Sequence, residues 1–147
     1  MSRTSLLSFM GEIERRAENF FHPFDGIDDD WEDLPSGPGG YILLASDRTT
    51  WPYPWGRSPI FYIGKASRIR NRVWDHWDGA RHAKNSDRYG LHYAVNHYAA
   101  EFPTRFVTIP TWQRMTPDAL EEELMGRFVN RYGARPVANN QTRWNRA

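Results

Sequence analysis

Cysteine is absent from this chain of 147 residues, and its absence excludes several classes of protein. Without thiols the chain cannot build a disulfide framework, a thiolate zinc site or an iron–sulfur cluster, and it has no cysteine nucleophile. Any metal ion must therefore be bound by carboxylate, imidazole or water.

Long apolar runs are absent as well. No segment approaches the roughly 18 consecutive apolar residues of a membrane-spanning helix, and the opening MSRTSLLSFMGEIERR lacks the apolar core and cleavage site of a signal peptide. We therefore expect no membrane partner and no secretion, but a cytoplasmic protein, or a nuclear one in a eukaryote. With 39% hydrophobic and 15% aromatic residues, the chain has the composition of about one packed domain.

Common catalytic signatures are missing too. The sequence contains no GxxxxGK[ST] or GxGxxG phosphate loop, no HExxH zinc motif and no GxSxG nucleophile motif. Among the five histidines only His92 and His97 come near a ligand spacing, and a helix would not align that pair. A histidine zinc site is therefore not expected.

Charge is distributed unevenly along the chain. Residues 1–40 contain three Arg and nine Asp or Glu, a net charge of −6, whereas residues 41–147 contain 16 basic and nine acidic residues, a net charge of +7. The positive part has the charge of a nucleic-acid-binding domain. The alternative is that scattered arginines only solvate a small surface.

The N-terminal segment has the hydrophobic spacing of one helical face. The pattern predicts an amphipathic helix over residues 5–21, formed by Leu6, Phe9, Met10, Ile13, Ala17, Phe20 and Phe21. The acidic stretch that follows is rich in proline and glycine and reads as a loop or linker. We therefore expect an N-terminal helix with an acidic loop over residues 1–38 and a domain over residues 39–147.

Three short apolar runs predict β-strands. They are GGYILLAS, with the strand starting at Tyr41, then PIFYIG, and later TRFVTIP. Between the first two, residues 47–58 combine prolines with Trp51 and Trp55, so we expect a long connection without regular structure. These tryptophans either pack their own loop or offer stacking surfaces to bases.

Three further helices are predicted, over residues 68–77 with an end near Gly79, over 89–98, and over 116–132 with Thr116 as its N-cap and Asp118 in its first turn. On the first of these, a spacing of four places a basic set on one face, namely Arg68, Arg72 and His76. The neighbouring face is apolar and consists of Ile69, Val73 and Trp77.

The order of five short motifs resembles the GIY-YIG endonuclease superfamily. The motifs are GGY, YIGKAS, RIRNRV, ALEEELM and PVAN, which together span residues 39–139. The resemblance implies an α/β fold of the α+β type, with a small three-stranded, mainly antiparallel sheet flanked by helices, here with an extra N-terminal helix. It also implies hydrolysis of DNA phosphodiester bonds with one divalent metal ion, Mg²⁺ or Mn²⁺ in its place. The connection from Tyr41 to Tyr62 and the interval from Glu121 to Pro136 are longer than in compact members.

The resemblance assigns catalytic roles to Tyr41, Tyr62, Arg72, His76 and Glu121. Tyr62 is the favoured general base and Tyr41 its orienting partner or replacement. An unperturbed phenol has a pKa of about 10, so a tyrosine base needs nearby cations, which Lys65, Arg68 and Arg72 provide. Arg72 would hold the scissile phosphate with its planar fork, and His76 would either assist proton transfer or bind phosphate.

The remaining expected roles concern the metal ion and the DNA. Glu121 is the expected metal ligand, because a helix turns about 100° per residue and this register directs Glu121, rather than Glu122 or Glu123, towards the apolar face. The expected nucleic-acid contacts are Lys65, Arg68, Arg70 and Asn139, of which Asn139 would also orient the site.

Two other functions remain open on sequence alone. The chain could be a GIY-YIG-like module that binds nucleic acid or a partner protein without cleavage, or an interaction protein regulated through its acidic N-terminal segment. DNA is the expected partner, and targeting would come from a homo-oligomer, from a protein partner, or from the chain's own loop 47–58, helix 88–98 and basic tail.

Overall fold

The protein has a mixed α+β fold in which one antiparallel sheet is covered by helices on both faces. The computed structural model describes residues 10–14, 19–22, 26–27, 34–46, 48–85, 94–111 and 114–140. The strands are β1 (Asn19–His22), β2 (Gly26–Ile27), β3 (Gly39–Ala45), β4 (Trp51–Tyr53), β5 (Gly56–Ser58), β6 (Ile60–Ala66) and β7 (Thr104–Pro110). The helices are α1 (Ile69–Asn85), α2 (Ala94–Glu101), α3 (Pro117–Tyr132) and a 3₁₀ helix (Val137–Asn140), and residues 10–14 are also helical.

The main sheet has the strand order β2-β1-β7-β3-β6, with every pairing antiparallel. Strands β3, β6 and β7 are the three that the apolar runs predict, so the expected antiparallel core of three strands is confirmed, and β1 and β2 extend it beside β7 to five strands. All seven residues of β3 are buried, because the strand has a neighbour on each side and helices on each face. The sequence of a strand covered on both faces is a continuous apolar run, not an alternation of apolar and polar residues.

The helix predicted over residues 5–21 is wrong in its C-terminal part. Residues 10–14 are helical, but Asn19–His22 form β1, which pairs with β7 through partners such as Phe20 and Arg105. Residues 5–9 and 15–18 lie outside the described part of the chain. Aromatic residues fit a pleated strand as well as a helical face, and pairing with β7 decides between the two. The acidic loop is likewise interrupted by β2, which pairs with β1.

The connection between β3 and β6 is more regular than predicted. It contains the hairpin β4–β5, in which Trp51 faces Ser58 across the ladder. Trp51 packs edge-on against Phe61, Tyr98 and Phe102, with ring centroids 5.3–5.8 Å apart. This contact supports the packing alternative for Trp51, whereas Trp55 at the hairpin turn is 60% exposed.

Helix α1 continues beyond its predicted end at Gly79. A Cβ added at Gly79 would lie 2.3 Å from Nδ2 of Asn96, so this glycine admits the close approach of α2 instead of ending the helix. Helix α2 begins at Ala94 and ends at Glu101, later than predicted at its end, while residues 86–93 lie outside the described ranges.

Helix α3 agrees with its predicted boundaries and caps. The Thr116 hydroxyl accepts a hydrogen bond from the backbone N–H of Ala119 at 3.1 Å, and Asp118 lies in the first turn. At the other end Gly133 adopts a φ of 84°, and its N–H donates to the carbonyl of Val129. This left-handed cap favours glycine.

Two hydrophobic clusters lie on opposite faces of the sheet. Tyr41 and Leu43 of β3 belong to the cluster beneath α1 and α2, whereas Ile42 and Leu44 belong to the cluster beneath α3. Because successive side chains of a strand point to opposite faces of the sheet, Tyr41 lies on the face that α1 covers. Among the described helices, none combines the length and the hydropathy that a membrane span requires.

Candidate active site

The centre of the candidate site is a hydrogen bond between Tyr41 and His76. The Tyr41 hydroxyl, from the central strand β3, lies 2.6 Å from Nε2 of His76, from α1. Tyr41 is fully buried, and His76 is only 7% exposed. The packing of α1 on the sheet thus brings together two residues that lie 35 positions apart in the chain.

Asn96 extends this contact to a third element. Its Oδ1 lies 3.0 Å from Nδ1 of His76, so a chain of hydrogen bonds runs from β3 through α1 to α2. The sequence motifs do not include Asn96. The only signal is the pair of polar residues, Asn96 and His97, within the stretch AVNHYAA, and that signal identifies neither the residue that acts nor its partner.

Tyr62 lies beside this pair on the same face of the sheet. Its ring centroid is 6.0 Å from that of Tyr41 and 5.7 Å from that of His76. In contrast to Tyr41, Tyr62 is half-buried. It is therefore the more accessible of the two phenols.

Gly64 makes room for both tyrosine rings. It faces Tyr41 across the β3–β6 ladder. A Cβ at this position would lie 2.5 Å from Cζ and the hydroxyl oxygen of Tyr41 and 2.7 Å from Cε2 of Tyr62. Because real side chains do not tolerate such distances, the glycine that follows Tyr62 and Ile63 is a steric requirement of the tyrosine cluster.

Burial makes Tyr41 difficult to ionise. The pKa of Tyr41 is raised well above the ordinary phenol value, first by burial and then by repulsion from charge on Tyr62. The positive charge of Arg72 and a hydrogen bond from it oppose this rise. Tyr41 therefore stays protonated as a resting group, and Arg72 is the residue that favours negative charge on it.

His76 is held in its neutral form. Burial, the largest cause, and the nearby charge of Arg72 together lower the pKa of His76 to about 4, although the hydrogen bond with Asn96 acts in the opposite direction. The ring therefore does not lie on a solvated cationic face with Arg68 and Arg72, as its spacing suggested. A neutral, buried imidazole supports proton transfer better than phosphate binding.

Three exposed cations surround the tyrosine strand and the start of α1: Lys65, Arg68 and Arg72. Nη1 of Arg72 donates to the backbone carbonyl of Lys65 at 3.4 Å, and Lys65 forms an ion pair with Asp118. Because the charge of Arg72 acts on both Tyr41 and His76, this residue connects the buried cluster with the exposed basic surface.

Arg70 has a structural contact in addition to its predicted DNA contact. Its Nε and Nη2 both donate to the carbonyl of Leu34, at 3.1 and 2.8 Å. The backbone N–H groups of Ile69 and Arg70 donate to the carbonyls of Gly37 and Pro35. Arg70 thus attaches the segment before β3 to the start of α1, and its role in nucleic-acid binding stays a prediction.

Asn139 binds the backbone of the tyrosine strand. Its Oδ1 accepts from the N–H of Ile63 at 3.0 Å, and its Nδ2 donates to the carbonyl of Ile63 at 2.8 Å. Strand β6 is at the edge of the described sheet, so the side-chain amide takes the place of a neighbouring strand. This pair of hydrogen bonds supports the orienting role of Asn139, because Ile63 lies between Tyr62 and Gly64.

Glu121 does not belong to the tyrosine cluster. It lies on α3, which packs on the opposite face of the sheet, and it is half-buried while Glu122 and Glu123 are exposed. Its carboxylate lines an open hollow of about 440 Å³ formed by Glu121, Glu122, Met125, Gly126, Val129 and Arg135. The start of α3 nevertheless lies near the motif strands, because Asp118 pairs with Lys65 and the side chain of Leu120 lies over Gly40.

Metal-ligating side chains do not form a ready-made cage within the described ranges, where no group of three or more His, Cys, Asp or Glu is found. No family model, no curated protein and no solved structure matches this chain. The resemblance to the GIY-YIG superfamily therefore depends on the sequence motifs alone.

Proposed function

We propose that this protein is a divalent-metal-dependent DNA endonuclease of the GIY-YIG type. The observation that carries the proposal is the meeting of Tyr41, Tyr62 and His76 in one cluster, with Arg72 acting on it electrostatically. These residues come from three separate elements, so their convergence is not a consequence of sequence proximity. Two phenols, a neutral imidazole and an exposed guanidinium are suited to phosphodiester hydrolysis.

Water activation is assigned to Tyr62. It is the more exposed of the two phenols and can meet a water molecule, whereas burial disfavours charge on Tyr41. As water attacks phosphorus, its proton passes to Tyr62, the Tyr62 proton shifts to the oxygen of Tyr41, and the Tyr41 proton shifts to Nε2 of His76 along the 2.6 Å hydrogen bond. Because His76 is held neutral at rest, the proton then returns along the same chain and leaves through Tyr62 to solvent, while the departing oxygen takes up a proton from solvent.

Arg72 stabilises the charge that develops during the reaction. Its guanidinium is exposed, and a planar fork can donate two hydrogen bonds to the oxygens of a phosphate. The same charge favours proton loss from Tyr41. Lys65 and Arg68 add exposed positive charge beside it and bind the DNA backbone.

Glu121 is the residue assigned to the metal ion. A half-buried carboxylate next to the exposed Glu122 is a hard oxygen ligand, and Mg²⁺ commonly binds through one or two carboxylates completed by water and substrate phosphate. The donor chemistry therefore fits Mg²⁺ or Mn²⁺. If bound there, the ion would supply Lewis-acid stabilisation of the negative charge on a phosphate oxygen.

The decisive experiment is cleavage of supercoiled plasmid by the full chain, with and without Mg²⁺. We expect nicked and linear DNA only with the metal, and near-complete loss of both products in Arg72→Ala. Arg114→Ala is the matched control, because Arg114 is also exposed but lies outside the cluster. Plasmid that stays supercoiled with the wild-type chain at all Mg²⁺ and Mn²⁺ concentrations would overturn the proposal.

A non-cleaving nucleic-acid-binding module is the competing function. The exposed cations Lys65, Arg68 and Arg72 favour it equally, because they bind phosphates with or without chemistry. It differs in one outcome: DNA would be retained in a binding assay with a steep salt dependence, while no metal-dependent product appears. Side-by-side tests of linear, flap and branched DNA would identify the preferred substrate.

A further inference from the structure

We propose that Asn96 is a positioning residue that fixes His76 in the tautomer with its proton on Nδ1, which leaves Nε2 free to accept the Tyr41 hydroxyl proton. The contacts among these three side chains do not depend on the proposed function. Its consequence for catalysis rests on the proposed endonuclease function.

The tautomer follows from donor and acceptor chemistry. Oδ1 of Asn96 lies 3.0 Å from Nδ1 of His76, and an amide oxygen can only accept a hydrogen bond. Nδ1 must therefore carry the proton. A neutral imidazole has only one N–H, so Nε2 presents a lone pair to the Tyr41 hydroxyl at 2.6 Å.

Gly79 on the facing helix leaves the space that the Asn96 amide occupies. A Cβ at Gly79 would lie 2.3 Å from Nδ2 and 2.8 Å from Cγ of Asn96, so the amide occupies space that only a glycine leaves. Val95 and Ala99, on either side of Asn96 in α2, are buried and anchor the helix. The Asn96 amide group is thereby held between α2 and the backbone of α1.

The groups around His76 support this assignment. Tyr41 contacts one ring nitrogen, Asn96 contacts the other, and the ring of Tyr62 packs edge-on at 5.7 Å. Arg72 is the charged group that acts on the ring. In the opposite tautomer the unprotonated Nδ1 would face the lone pairs of Asn96 Oδ1, so the Asn96 contact is the one that decides between the tautomers.

The first test reads the tautomer directly and needs no DNA. Long-range ¹H–¹⁵N correlation spectra of the full chain report which ring nitrogen of His76 is protonated. We expect Nδ1–H in the wild type and in Asn96→Asp, which keeps an acceptor oxygen. We expect Asn96→Leu, which removes the acceptor, to shift His76 towards Nε2–H. A wild-type ring with the proton on Nε2, or an unchanged tautomer in Asn96→Leu, would overturn the proposal.

The control is Asn130→Leu, at an exposed position of α3, which should leave the His76 signals unchanged. If Asn96→Leu does not fold, the wild-type tautomer and the Asn96→Asp variant still decide. In Asn96→Asp a carboxylate replaces the amide beside the ring, so we expect the pKa of His76 to rise towards its ordinary value.

Cleavage assays separate this inference from the proposed function. General acid–base groups typically contribute about 10²–10⁴-fold to a rate, so we expect Asn96→Leu to lower kcat at least about tenfold with KM little changed, and Asn96→Asp to restore part of the loss. If the wild type does not cleave but His76 keeps an Asn96-dependent tautomer, the endonuclease function is wrong and the positioning stands. If the wild type cleaves and Asn96→Leu cleaves equally fast, the positioning role is wrong and the endonuclease function stands.

Discussion

Tyr41 and Gly64 face each other across the β3–β6 ladder, and the glycine is what allows the tyrosine ring to lie over strand β6. A Cβ at residue 64 would lie 2.5 Å from the Tyr41 hydroxyl oxygen, within a fully buried site. Gly64, the glycine of the YIG motif, thus has a steric role that does not depend on any chemistry.

We expect Gly64→Ala to destabilise the fold and to impair cleavage, because the Tyr41 and Tyr62 rings must move apart to admit the methyl group. Overpacking of a buried site costs about 1–3 kcal/mol, measurable as a lower free energy of unfolding in urea. Gly126→Ala is the control: a Cβ there meets nothing within 4 Å, and an exposed helical glycine replaced by alanine gains about 0.5–1 kcal/mol. Equal stability of the two variants would contradict the steric argument.

The buried neutral His76 predicts a specific pH dependence of stability. Its pKa is lowered from 6.5 to about 4 in the folded chain, so between these values the unfolded state binds a proton that the folded state does not. The free energy of unfolding should therefore fall as the pH falls from 6.5 to 4, by about 3 kcal/mol at most from this residue. We expect His76→Gln to lose this part of the pH dependence. Parallel stability curves for the wild type and His76→Gln over this range would show that the histidine is not held neutral.

The sequence predicts much of the framework because the relevant signals are local. The apolar runs of β3, β6 and β7 and the Thr116 cap of α3 depend on neighbouring residues, and the structure confirms them. The strand β1 depends instead on pairing with β7, which no local pattern encodes. The contact of His76 with Asn96 likewise depends on how α1 packs on α2, so the site's third hydrogen-bonding residue could not be found from motifs alone.

Arg72→Ala should nearly abolish cleavage while weakening DNA binding only modestly, because the charge it stabilises is greatest in the transition state. Loss of one such donor typically lowers kcat by about 10²–10³-fold. Arg72→Lys keeps the charge but not the planar fork, so we expect it to restore binding more than rate. Single-turnover rates and binding isotherms measured together check this. Equal losses in affinity and rate, with an unchanged rate at saturation, would make Arg72 an ordinary phosphate contact.

The two tyrosines should differ in importance. We expect Tyr62→Phe to lower the cleavage rate more than Tyr41→Phe, since Tyr62 is the accessible phenol that meets the water molecule. The wild-type rate should rise with pH in the neutral to alkaline range as a phenol proton becomes easier to remove. Pre-steady-state rates across this range test both points. An active Tyr62→Phe enzyme with a flat pH profile would assign the base to another group.

Glu121, rather than Glu122 or Glu123, should bind the metal ion. Glu121 is the half-buried member of the three, while Glu123 forms an ion pair with Arg127 at 2.8 Å, which occupies one of its carboxylate oxygens. We expect Glu121→Gln to lose Mg²⁺-dependent cleavage and to weaken Mn²⁺ binding, measured by titration with electron paramagnetic resonance, without loss of fold or DNA binding.

Glu122→Gln is the matched control, because Glu122 lines the same hollow but is exposed. Glu123→Gln should remain active and should cost little stability, since a partly exposed ion pair contributes about 0–1 kcal/mol. If Glu122→Gln is the inactive variant, the metal lies on the outer side of α3; if all three variants cleave normally, the carboxylate ligand belongs to another part of the chain.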